Sequence, residues 1–147
     1  MLLYHINLGY PFLSEHLRLS LPPGTQTVPA TDTALAHLNE LARFSAPDPD
    51  FKEQDFHHRL PAPGGESRLS ADNAELGIRF SLRYRADALP MLNEWRCLRS
   101  GDYALALEPT NCRVNGRAQA QAEGSLPVLA PFASVTTELS FSLESLS

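Results

Sequence analysis

The chain predicts an all-β fold, an antiparallel β-sandwich with one short helix, and three observations carry that expectation. Apolar residues recur with period two in several separate stretches, the pattern of a strand with one face in a core and the other in water. The 12 prolines and 8 glycines of the 147 residues are spread as punctuation between those stretches, which suits short strands joined by turns rather than disorder. Only one segment shows clear helical spacing. A hydrophobic content of 43% gives one domain of this length enough apolar material for a core.

Taken in order, Leu2–Leu8 places Tyr4, Ile6 and Leu8 on one face and Leu3, His5 and Asn7 on the other. His16–Leu21 and Asp55–Leu60 are shorter strand candidates. In Glu75–Tyr84 the residues Leu76, Ile78, Phe80, Leu82 and Tyr84 alternate with small or charged ones. Asp102–Glu108 sets Tyr103, Leu105 and Leu107 against Ala104, Ala106 and Glu108, and Val135–Leu143 repeats the pattern. The helical segment is capped by Thr31 or Asp32 and runs through Leu35, Leu38 and Leu41 to Phe44. A second, thin-faced helix is an option over Arg117–Glu123, and Ser45–Asp50 and Pro61–Gly65 read as proline-fixed loops. The pattern amounts to seven or eight strands. A chain that opens directly in a strand, with no cap or polar leader, reads as the downstream portion of a longer domain.

Composition excludes several function classes. Lys+Arg 12 against Asp+Glu 17 gives a net charge of −5, which argues against a general binder of nucleic acid or of an anionic membrane. No apolar run approaches the ~20 residues needed to span a bilayer. The opening Met1-Leu2-Leu3-Tyr4-His5 lacks the basic flank of a signal peptide, so the expected location is cytoplasmic. Cys97 and Cys112 lack CxxC spacing and read as structural thiols. His57 and His58 are adjacent, point to opposite faces of a strand, and so cannot share a metal. No GxSxG, P-loop or GxGxxG motif is present.

What remains is a small set of polar residues on strand faces. His5 and Asn7 share a face and project together toward a turn. Glu108 ends a strand beside small Ala104 and Ala106, where rigid backbone holds a carboxylate with room for a ligand. Glu53, Gln54 and Asp55 are placed to bond hydroxyl groups, and Trp95, the single tryptophan, offers a face to stack on a sugar. Arg96, Arg99 and Arg113 are the arginines available to an anionic ligand.

Four segments, Tyr4-His5-Ile6-Asn7-Leu8-Gly9, Phe51–Phe56, Leu89–Trp95 and Gly101–Asn111, resemble in order and content the aldose 1-epimerase-like proteins of the galactose mutarotase superfamily. The nearest branch is a bacterial one described largely as a domain of unknown function. The resemblance covers nearly the whole chain, but only the C-terminal part of a domain about twice as long. It implies a large β-sandwich with a sugar lying across a concave sheet. It also implies interconversion of the sugar's α and β anomers, with His5 as the acid toward the ring oxygen and Glu108 as the base toward the anomeric hydroxyl. Asn7, Glu53, Gln54, Trp95, Arg96 and Asn111 are the implied sugar contacts. His5 lies two residues before Asn7, where the family places its histidine four before. The chemistry needs only two positioned proton carriers, so no cofactor or metal is expected. The expected partner is a small-molecule aldose, with self-association as a further option for a sheet left with a free edge. The alternative reading is a carbohydrate-binding module on the same sandwich, without turnover.

Overall fold

Alternation along the chain becomes two antiparallel sheets in the computed structural model, which describes residues 1–146. The strands are β1 (Ile6–Gly9), β2 (Leu17–Ser20), β3 (Gln26–Pro29), β4 (Gln54–Arg59), β5 (Glu66–Asn73), β6 (Ile78–Arg85), β7 (Met91–Arg99), β8 (Asp102–Thr110) and β9 (Leu139–Ser145). The helices are α1 (Asp32–Ala36) and α2 (Arg117–Ala122). One sheet has the order β1-β8-β7-β4-β3 and the other β2-β5-β6-β9. Each pairing is antiparallel. The all-β sandwich expected from the sequence is therefore the fold, and its core lies between the sheets. Leu105, Leu107 and Leu92 from the first sheet meet Leu17, Leu69, Phe80, Leu82 and Tyr84 from the second.

Three strands exceed the sequence expectation. In β5 the inward residues are Ser67, Leu69, Ala71 and Asn73, a period-two pattern masked because half of its buried side chains are polar. Asn73 is accommodated by donating to the Phe12 carbonyl and to Ser14 Oγ. The chain at Leu89–Cys97 holds Asn93, Glu94 and Arg96 buried, so β7 carries no simple alternation. Strand β3 has only four residues.

The helix expected to reach Phe44 stops after Ala36. Thr31 Oγ1 caps it by accepting from the Ala34 amide at 3.1 Å. Beyond a 3-10 turn at Leu38–Glu40, the carbonyls of Glu40, Leu41 and Arg43 turn to accept from the buried Arg96 guanidinium. The Ala42 carbonyl meanwhile accepts from the Leu19 amide. Those bonds to other elements outcompete helix propagation. The last strand also begins later than the alternation from Val135 suggests. On β9, Phe141 and Leu143 are 63% and 67% exposed, because the strand lies at the sheet edge where little of the opposite sheet covers it.

Candidate active site

Register places the polar side chains. Ser100 and Gly101, the latter with φ of +95°, make the two-residue turn that joins β7 to β8, and glycine accepts that left-handed geometry without strain. The turn sets Asn93 opposite Glu108 and Trp95 opposite Ala106. Across β4, His57 faces Asn93 and Asp55 faces Trp95. Across β1, Ile6 pairs with Leu107 and Asn7 with Ala106, which brings His5 opposite Glu108. The outward face of the first sheet therefore carries one row, His5–Glu108–Asn93–His57, and beside it a second, Asn7–Ala106–Trp95–Asp55. A slip of one residue in the β7–β8 turn would send Glu108 into the core.

His5, Glu108 and Asn93 of the first row and Asn7, Trp95 and Asp55 of the second border a cleft of ≈ 580 Å³ whose walls include Leu3, Thr31, Glu53 and Val114. His5 Nε2 lies 2.9 Å from Glu108 Oε1; the His5 side chain is 47% exposed and that of Glu108 only 4%. The other carboxylate oxygen, Oε2, accepts from Asn93 Nδ2 at 2.8 Å, so the carboxylate is held between an imidazole and an amide. Burial pushes the Glu108 carboxyl above the ordinary range. The Asn93 hydrogen bond and the His5 charge pull it down, and the Asp55 charge adds to the rise. Burial likewise raises Asp55 and lowers His57, which keeps the His57 ring toward its neutral form. Trp95 donates from Nε1 to Glu53 Oε2 at 3.1 Å, and its ring centroid stands 6.4 Å from that of His5. Together these groups offer an acid–base pair beside an aromatic wall, on a rigid sheet.

The sequence-derived residues divide between two faces. His5, Asn7, Glu53, Trp95 and Glu108 border the cleft, as does Gln54, although Gln54 is nearly buried and alternates with Asp55 along β4. Two placements correct the sequence reading. Arg96 is 2% exposed and lies on the inward face of β7, where it donates to Glu94 and to three backbone carbonyls and stacks on Phe44 and Phe56. It cannot reach a ligand on the outward face. Asn111 is occupied in fastening the N-terminal segment, with Oδ1 accepting from the Leu2 amide at 2.8 Å, and it does not border the cleft. Arg99 is paired with Asp102 at the hairpin end. Sequence reasoning overlooked Asn93 as a cleft residue; the signal for it was the register of a hairpin, which shows only once β7 is recognised.

A second hollow of ≈ 580 Å³ lies on the outer face of the other sheet among Arg68, Arg79 and Arg83. Arg68 and Arg79 are neutralised by Glu66 and Asp72, and no histidine–carboxylate pair is present among its walls. The His5–Glu108 pair borders the first cleft instead.

The fold and the cleft first define a class: a two-sheet antiparallel β-sandwich whose first sheet presents a paired histidine and glutamate on its open face. The family described as Domain of unknown function (DUF4432) matches residues 1–143, and the chain belongs to that family. No curated protein matches it. Among solved structures, a candidate aldose 1-epimerase from Klebsiella pneumoniae superimposes with a TM-score of 0.90 at 23% sequence identity, over 98% of this chain and 38% of that one. The chain thus shares the fold of that structure while spanning 38% of its length.

Proposed function

We propose that the cleft binds a cyclic aldose and interconverts its α and β anomers. Glu108 removes the proton from the anomeric hydroxyl while His5 delivers one to the ring oxygen. The C1–ring-oxygen bond breaks, the open-chain aldehyde rotates about C1–C2, and reclosure on the other face returns both protons. No net redox change occurs and atoms balance.

The observation that carries this reading is the 2.9 Å His5–Glu108 pair, with Asn93 holding the carboxylate from its other side. A carboxyl lifted toward neutral pH by burial is a better general base than an ordinary one, and a positioned proton carrier contributes about 10²–10⁴-fold. Trp95 supplies the apolar wall against which the C–H face of a pyranose packs. The free, buried Cys97 and Cys112 favour a reducing, cytoplasmic setting, and no helix among the described residues is long and apolar enough to cross a membrane.

Exchange NMR on α- and β-aldose mixtures tests the reading. Glu108→Gln should cut the anomerisation rate about 10²–10⁴-fold with the fold intact by circular dichroism. Unchanged turnover in that variant refutes the base assignment. Saturable sugar binding by the unaltered protein without faster anomerisation would instead favour a carbohydrate-binding module.

A further inference from the structure

A base must be ionised before it can take a proton, and the surroundings of Glu108 work against that. Its side chain is only 4% exposed, and burial drives a carboxyl toward its neutral form. Asp55, on β4, drives it the same way by repulsion. Two groups oppose them: the His5 charge, from the segment ahead of β1, and the Asn93 amide, from β7. In the proposed reaction His5 gives up its proton, so its charge is absent for part of the cycle. The amide carries no proton to lose and acts throughout.

The amide is also fixed in place. Asn93 lies opposite Glu108 in the β7–β8 register, is 2% exposed, and donates from Nδ2 to Glu108 Oε2 at 2.8 Å. An amide turned end for end would set Oδ1 against Oε2, two acceptors with no proton between them. Two residues of β4 favour the same direction. The amide pulls the Asp55 carboxyl down and the His57 ring up. Those signs follow from a donor end toward the carboxylate and an acceptor end toward the imidazole. Reversal would be unfavourable at Glu108, Asp55 and His57 together. The Arg113 charge is felt at His57.

We propose that Asn93 is a positioning residue of the reaction: by donating to Oε2 it holds Glu108 as a carboxylate with Oε1 turned toward His5 and the anomeric hydroxyl. The inference rests on the acid–base reading. A neutral amide does this without the full positive charge of a guanidinium, so the carboxylate stays ionised and still basic enough to take a proton.

The test reads Glu108 both directly and through turnover. Carbon-13 NMR of labelled carboxyl groups follows the Glu108 titration in the parent, Asn93→Leu and Asn93→Asp, while exchange NMR gives kcat and KM for anomerisation across pH. Asn93→Leu should raise the Glu108 titration, and the acid limb of kcat/KM with it, by about one pH unit or more, the worth of a hydrogen bond to a charged group. On that limb kcat should fall with KM nearly unchanged, because the amide acts through Glu108. Asn93→Asp, of the same size, sets a second carboxyl against the first and should raise the titration further. It carries the test alone if the leucine variant does not fold. A titration and an acid limb that stay in place would overturn the positioning role and leave the acid–base pair standing, even if kcat fell equally at every pH. A titration that rises in a protein that does not accelerate anomerisation would uphold the amide's hold on the carboxylate and sink the acid–base reading.

Discussion

The first sheet carries a histidine–glutamate pair on each of its faces, and the two are built alike but placed differently. Inward, His58 Nε2 lies 2.9 Å from Glu94 Oε2; outward, His5 Nε2 lies 2.9 Å from Glu108 Oε1. The inward pair is fully enclosed and complete: Thr27 Oγ1 meets His58 Nδ1 at 2.9 Å, and Arg96 satisfies the second Glu94 oxygen. The outward pair has a half-exposed histidine, an amide in place of the arginine, and bare acceptors alongside. For Glu94, burial pushes the carboxyl up, but Arg96 and His58 more than offset it and hold it below its usual value. For Glu108, burial wins. Distance alone does not mark a site; what distinguishes the two is whether every polar atom is answered from within the protein, and whether a guanidinium is present to keep the carboxylate charged.

The largest effect should come from breaking the inward pair. Arg96→Met leaves Glu94 buried without its main counter-charge, and removing one partner of a buried ion pair costs about 3–5 kcal/mol. The same change frees the carbonyls of Glu40, Leu41 and Arg43, which tether the α1 region to the sheet. Thermal melting should fall by roughly 10 °C or more. A melting point within 2 °C of the parent would show that the network is not what holds that region.

Opposite signs are expected for the two glutamates. Glu94→Gln should destabilise by about the amount that Arg96→Met does. Glu108→Gln removes a carboxylate whose ionised form is disfavoured by folding, and should stabilise at neutral pH by about 0.5–2 kcal/mol. The pH dependence carries the same sign. Because the folded pKa of Glu108 is raised, the native state binds more protons than the unfolded chain between the two values. Stability therefore declines as pH rises through that window. The depressed Glu94 does the reverse, giving stability that is present above the unfolded carboxylate pKa and lost as pH falls through the folded one. Denaturant titrations of parent and Glu108→Gln across the acid range should diverge with rising pH; parallel curves would refute the strain at Glu108.

This contrast also explains what could be read from the residues alone. Period-two alternation exposed Ile78–Tyr84 and Tyr103–Leu107 because each strand has one plainly apolar face, and it put His5 and Asn7 on the side opposite Tyr4 and Ile6. It failed on β7, where both faces are polar: Asn93 and Trp95 outward, Glu94 and Arg96 inward. Without that strand neither the partner of Glu108 nor the burial of Arg96 could be inferred, and an arginine near a tryptophan looked like a ligand contact. Helical spacing to Phe44 misled for the same reason, since the helix is cut short by a distant guanidinium that local propensity does not know about.

The smallest effect sharpens the outward face itself. Ionised Asp55 raises the Glu108 carboxyl by repulsion, alongside burial, so neutralising it in Asp55→Asn should let Glu108 ionise more readily. If Glu108 is the base, kcat/KM for anomerisation loses activity toward acid as that carboxyl takes up its proton. In the parent this limb should sit above the ordinary carboxylate range, and in Asp55→Asn it should move to lower pH by a fraction of a unit. A limb that stays in place would mean that the two carboxylates do not feel each other across β7. A limb that moves upward would mean that Asp55 is itself protonated in the parent and supports Glu108 as a hydrogen-bond donor rather than as a charge.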